Sequence, residues 1–269
     1  MTPIVAGRRL QFWALCASLT AFPALGSAQQ TSGRAGRTDN RVQRERELHD
    51  GMRQRRTDHF TVSFEGPAQT TLSGSVLEVL EGAYWKIGGT LSALPSMPIP
   101  VVLYTSEQFR DITRSPSWAV GAFDGIIRIP MRGALENPRE LERVLSHEYT
   151  HALIRQLSSR PVPIWLNEGL AAALEADDLE WAHERVRRAG KAIPLDAMER
   201  SFRLLNDDQA ALAYASSAVA AQRLLDEAGG AAVSNLLRDV GQGRPFAAAF
   251  ASRIRRSLAE FQNELNSAH

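Results

Sequence analysis

The segment LSHEYTHALI, residues 145–154, sets two histidines four positions apart with a glutamate directly after the first. On an α-helix, residues i and i+4 project from one face, so the imidazoles of His147 and His151 stand side by side. Zinc accepts imidazole nitrogen at about 2.0–2.1 Å, and such a pair reaches one ion without bending the helix. Glu148 lies about 100° round the helix from His147, where it can flank the ion without ligating it and accept a proton from an activated water. Val144, Leu145, Ala152 and Leu153 give the helix an apolar side that can be held in a core. A solvated surface helix, or a histidine satisfied inside the core, accounts for the same residues without a metal. A third ligand separates these readings, since a catalytic zinc takes three protein ligands and keeps one position open.

Glu168 in PIWLNEGLAAALE, 17 residues beyond His151, is the candidate. The intervening RQLSSRPVPI carries two serines and two prolines, enough to end the first helix and turn the chain back. An antiparallel second helix then brings Glu168 to the metal, with Trp165 and Leu166 anchoring its start and Gly169 permitting close packing.

These residues need a scaffold. HFTVSFEG, residues 59–66, alternates Phe60, Val62 and Phe64 as a half-buried strand does. Leu72, Val76, Leu77, Leu80, Tyr84 and Ile87 recur at helical spacing and predict an amphipathic helix over 70–91 that stops at Gly88 and Gly89. MPIPVVLYTS predicts a strand, and Ser106 a short capped helix. VGAFDGIIRIPM predicts extended chain with a turn at Asp124–Gly125, and its alternation over 122–129 suits the edge of a small sheet. Asn137 and Pro138 open the helix that carries the histidines, over about 139–157. From Pro163 onward the pattern is helical: 164–176, then 207–230 closed by two glycines, then AAVSNLLRDV and SLAEFQNEL. The fold class is therefore α+β, a small mixed sheet followed by a metal-binding helix and a mainly helical C-terminal part.

The first 28 residues read as a secretory signal: Arg8 and Arg9, an apolar run over 10–25, and small residues up to a cleavage point after Ala28. The apolar run falls short of the roughly 20 residues of a membrane span, so no stable insertion is expected after cleavage. Cys16, the only cysteine, lies inside this segment, so the mature chain uses no disulfide framework. Removing Arg8 and Arg9 takes the formal charge from +1 to −1, which provides no field for nucleic acid. Residues 29–58, rich in arginine with interleaved acids, read as a flexible linker or a loosely formed solvated helix. Residues 59–269 then form one domain, a β/α part over 59–158 and a helical part over 159–269.

HEYTH followed by WLNEGLA resembles the gluzincin branch of zinc metallopeptidases, and WLNEG is shared with the aminopeptidases of that branch. The likeness is closer to the secreted bacterial peptidase MA-like group, whose pattern continues as Y-A-x-S on a later helix, here Tyr214, Ala215, Ser216 and Ser217. GAFDGIIRIP resembles the edge strand of that group, and the likeness runs from about His59 to the C-terminus. It implies a zincin-like fold and peptide-bond hydrolysis by a zinc-activated water. His147, His151 and Glu168 are the ligands it implies, Glu148 the general base, and Tyr214 the donor to the tetrahedral oxyanion. Three departures stand out. The gap from His151 to Glu168 is shorter than in thermolysin or the aminopeptidases. The acid that thermolysin-like enzymes place four residues after the ligand glutamate is Ala172 here, leaving Glu175 or Asp177 to orient a histidine. No GxMEN-type segment is present, which argues against an exopeptidase.

The expected function is a secreted or periplasmic zinc endopeptidase acting on peptide or protein substrates. A non-catalytic zincin-fold binding module of the envelope is a different expectation from the same residues, although a purely structural site has no need of Glu148. An amidase acting on cell-wall peptides shares the chemistry and differs in substrate.

Overall fold

The computed structural model describes residues 51–66, 68–105, 107–109, 122–123, 125–130, 137–175, 178–199, 202 and 205–267. The expected signal segment and the linker as far as residue 50 lie outside the described residues, as do Asp177 and all but residues 107–109 of the helix expected from Ser106.

Among the described residues, five strands form a mixed sheet. They are β1 (Arg53–Arg56), β2 (Phe60–Phe64), β3 (Ile99–Tyr104), β4 (Ala122–Phe123) and β5 (Ile127–Pro130), in the order β1-β2-β3-β5-β4. The inner three run parallel, and β1 and β4 pair antiparallel at the two ends. Strand alternation buries Phe60, Val62, Phe64, Ile99, Val101, Leu103, Ile127 and Ile129 in the main core. Helix α1 (Ala68–Leu91) connects β2 to β3 and contributes Leu72, Val76, Leu80 and Ile87 to that core.

Two expectations are corrected here. The linker was expected to run to Asp58, but its last part forms β1, paired with β2 from Arg53↔Phe64 to Arg56↔Thr61. All four β1 residues are exposed, so the strand supplies backbone hydrogen bonds and a charged edge but no core side chain. Such a strand has no hydrophobic alternation by which to be recognised. The second correction concerns the edge expected over 122–129. It is a hairpin turning at Gly125 (φ 106°), in which β5 pairs with both β3 and β4 and only β4 lies outermost. Alternation shows which side chains enter a core; it does not say how many neighbours a strand has.

Helix α1 does not stop at Gly88–Gly89 but continues to Leu91. It closes with Ala93 N–H bonded to Gly88 O at 2.9 Å and Ser92 N–H to Gly89 O at 3.1 Å, with Ser92 left-handed at φ 50°. A Cβ at Gly88 would sit 2.4 Å from Cδ2 of the exposed Leu94, which can turn aside, and 3.0 Å from Ala93 O.

Seven further α-helices follow among the described residues: α2 (Pro138–Leu157), α3 (Ile164–Glu175), α4 (Glu180–Ala189), α5 (Asp207–Ala228), α6 (Gly230–Gly241), α7 (Phe246–Ile254) and α8 (Leu258–Ser267). Asn137 caps α2 by accepting from Glu140 N–H at 3.3 Å, with Pro138 in the first turn. Asn206 and Gln209 close a capping box at the start of α5. Helix α2 lies in the middle of the fold, packed by α1, α3 and α6. Every residue from Val144 to Ile154 is buried. No helix among the described residues is long and apolar enough to cross a membrane.

Candidate metal centre

A helix buried on all sides is expected to be apolar all round, yet α2 buries Ser146, His147, Glu148, Tyr149, Thr150 and His151 in succession. Each polar group taken from water without a partner costs about 1–3 kcal/mol, and a charge costs more. Thr150 is satisfied by donating to Ser146 O at 2.8 Å. Tyr149 turns its ring into the aromatic cluster of Phe60 and Tyr84. Its hydroxyl, buried without a hydrogen-bond partner, and the titratable groups of His147, Glu148 and His151 remain to be accounted for.

Helices α2 and α3 run antiparallel, and their facing stripes are in register. Arg143, His147 and His151 recur every four residues along α2, while Glu168 and Glu175 lie two turns apart on α3. Glu168 therefore meets both histidines and Glu175 meets His147 and Arg143. Glu168 Oε2 is 3.8 Å from His147 Nε2 and 3.7 Å from His151 Nε2. All three residues are buried, and their ligand atoms lie within 4.8 Å of one another. Gly169 fixes the approach from behind: a Cβ there would be 2.3 Å from Ser217 O, so α3 and α5 touch backbone to backbone beside Glu168.

This geometry suits a cation between the three groups. Separations of 3.7–3.8 Å are too long for direct hydrogen bonds. Two atoms each about 2.0–2.1 Å from one ion lie at most about 4 Å apart, which accommodates both histidine–glutamate separations. His147 Nε2 is buried with no hydrogen-bond partner in the protein. Two imidazoles and one carboxylate also form the donor set of an open zinc site. The group His147, His151 and Glu168 can hold a metal ion.

The two histidines share the same burial, yet their pKa values are displaced in opposite directions. Burial pushes His147 down, but Glu175, Glu168 and Glu148 outweigh it and raise it to about 10. Burial lowers His151 to about 4, resisted in part by Glu168 and Asn167. His151 thus presents a neutral imidazole, and the negative field that would hold a proton on His147 is one that attracts a metal cation.

Glu175 Oε2 stands 2.5 Å from His147 Nδ1, and Glu175 Oε1 accepts from Arg143 Nη1 at 2.8 Å. Burial alone would raise the Glu175 carboxyl, but His147 and Arg143 outweigh it and hold the group below its usual range. Of the two acids left open by the sequence, Glu175 is in contact with His147; Asp177 lies outside the described residues. Ala172, where an acid was missing, is a buried apolar position. Glu148 is wholly buried, and its charge is felt at His147. Tyr214 lies half-buried on α5 with its ring edge-on to Phe202 at 5.2 Å.

Two residues of the site went unnoticed in the sequence. Asn167 donates from Nδ2 to Glu168 Oε1 at 3.4 Å and acts on His151; Arg143 holds Glu175. Their signal was positional, since one precedes the third ligand and the other lies one turn before the first histidine. A comparison of the chain with protein-family models finds no match, and a comparison with curated proteins finds none either, so the residues themselves carry the functional reading.

Proposed function

We propose that the chain is a zinc-dependent peptidase of zincin-like fold, with His147, His151 and Glu168 as ligands and Glu148 as general base. The observation that carries this reading is the burial of four titratable side chains against one another at the α2–α3 seam, where a stability argument alone would favour apolar residues. A bound zinc supplies Lewis acidity, lowering the pKa of a water and polarising a carbonyl oxygen. The protein does the rest. His151 offers a neutral nitrogen, Glu175 holds the His147 ring, and Glu148 accepts the proton of the attacking water and returns it to the leaving amine. Tyr214 is the proposed donor to the oxygen that gains charge.

The substrate is an extended peptide segment. Helix α2 contacts β4, the outermost strand on that side of the sheet. A peptide added alongside β4 would use main-chain pairing to lie near the zinc. The N-terminal pattern of Arg8, Arg9 and the apolar run supports a secreted or periplasmic location.

The deciding experiment is hydrolysis of a denatured protein substrate by purified protein of known zinc content, with and without a chelator. Chelator-sensitive cleavage that returns on adding zinc is expected. Stoichiometric zinc with no cleavage of any peptide would favour the binding module instead.

A further inference from the structure

Arg143 lies one turn before His147, and the chemistry of peptide hydrolysis assigns an arginine there no task. Its guanidinium is nonetheless fully committed. Nε and Nη2 donate to Glu140 Oε2 and Oε1 at 3.0 and 2.7 Å, and Nη1 donates to Glu175 Oε1 at 2.8 Å. The other oxygen of Glu175 is 2.5 Å from His147 Nδ1. Side-chain exposure falls along this series from 38 % at Glu140 and 26 % at Arg143 to 7 % at Glu175 and 4 % at His147. A ladder of alternating charge therefore descends from solvent to a metal-ligand candidate.

We propose that Arg143 is a positioning residue of the metal centre, acting through Glu175 on the ring of His147, with Glu140 holding the guanidinium plane. The proposal rests on reading His147, His151 and Glu168 as a metal centre, and does not depend on peptide hydrolysis. Glu175 has one oxygen for His147 and one that would be buried without a partner if Arg143 were absent. A carboxylate satisfied at both oxygens cannot swing. The imidazole donating Nδ1–H to it is then fixed in plane, with Nε2 turned toward Glu168. Arginine suits the task better than lysine because its planar fork can grip two carboxylates at once.

The test is zinc affinity, measured by competition with a chromophoric chelator on the metal-stripped full chain, for wild type, Arg143→Gln, Arg143→Lys, Glu140→Gln, Glu175→Gln and the Arg143→Gln/Glu175→Gln double variant. Arg143→Gln and Glu175→Gln should each weaken zinc by about 10–100-fold, the scale for outer partners of metal ligands. Because Arg143 acts through Glu175, the double variant should bind zinc no more weakly than Glu175→Gln alone. Arg143→Lys and Glu140→Gln should fall between wild type and Arg143→Gln. A purely structural role would lower the melting temperature of the stripped protein without changing affinity. Wild-type affinity in Arg143→Gln, or the same loss from Arg143→Gln in both backgrounds, overturns the proposal. Should Arg143→Gln fail to fold, wild-type affinity in both Arg143→Lys and Glu140→Gln overturns it. A wild-type protein that takes up no zinc overturns the metal centre and the ladder together. One that binds zinc and cleaves nothing removes only the peptidase.

Discussion

Arginine–carboxylate contacts hold two parts of this molecule together, and the two sets contrast. At the α2–α3 seam, Arg143, Glu175 and His147 are stacked into the interior, with Glu175 only 7 % exposed. Across α6 and α7, Asp239 takes both Nε and Nη2 of Arg253, at 2.9 and 2.8 Å, and Nη1 of Arg244 at 3.1 Å. Both arginines there are 42 % exposed. Asp239 is covered, at 11 % side-chain exposure, but the arginines that clasp the two short helices through it reach into solvent, where screening holds each contact to about a kcal/mol or less. The inner set lies where burying charge costs more than an apolar packing would, so its presence requires a purpose other than stability. The two carboxylates are covered almost alike, and what separates a clasp from a site is the other partner: His147 at 4 % exposure beside Glu175, half-open arginines beside Asp239.

The largest break in this comparison comes from His151→Ala. It should abolish bound zinc and activity together, as read by elemental analysis beside a hydrolysis assay; retention of stoichiometric zinc would remove His151 from the ligand set. Glu148→Gln is next. Glutamine has nearly the same shape but cannot accept the proton, so turnover should drop by at least about 10²-fold with zinc and fold retained. Near-normal turnover in that variant would end the general-base role.

Gly169→Ala probes the packing behind Glu168. The new methyl would meet Ser217 O at 2.3 Å, so α3 must move off α5. A loss of about 1–3 kcal/mol in denaturant unfolding is expected, accompanied by weaker zinc binding. The smallest effect belongs to the outer clasp. Asp239→Asn should cost about 1 kcal/mol or less, and less still in high salt, without altering zinc content. Hydrogen bonds from Arg253 hold the Asp239 carboxyl below its ordinary range. Its stabilisation is therefore complete above the ordinary aspartate pKa of about 3.9 and lost as pH falls through the depressed value. Wild type and Asp239→Asn should accordingly converge in stability in acid; a constant gap down to the acid limit would contradict the ionic clasp.

The metal helix was legible because several local signals agree on it: Asn137 and Pro138 at its start, the histidines at helical spacing, and the prolines that turn the chain toward Glu168. Strand β1 was hidden because an edge strand made of arginine and glutamine carries no burial pattern. The internal place of β5 was hidden for a different reason, since its neighbours β3 and β4 are fixed by tertiary pairing. Helices α4 and α7 passed without separate notice among the helical signals after Pro163. Glu175 and Asp177 were equal candidates on the sequence. Glu175 stands two helical turns beyond Glu168 on the same stripe, which matters only once α3 is known to lie antiparallel to α2. Arg143 resembles an ordinary solvated helix residue for the same reason.

The encasement of α2 bears on how the centre behaves in time. Proteins open in cooperative patches, and segments with dense burial and internal hydrogen bonds open last. His147, Glu148 and His151 sit within the run from Val144 to Ile154, every residue of which is buried. They therefore share the fate of the most persistent part of the chain. A ligand pair on a surface loop could detach by a local fluctuation. Here, separating His147 and His151 from each other requires unravelling the helix around which the rest is packed.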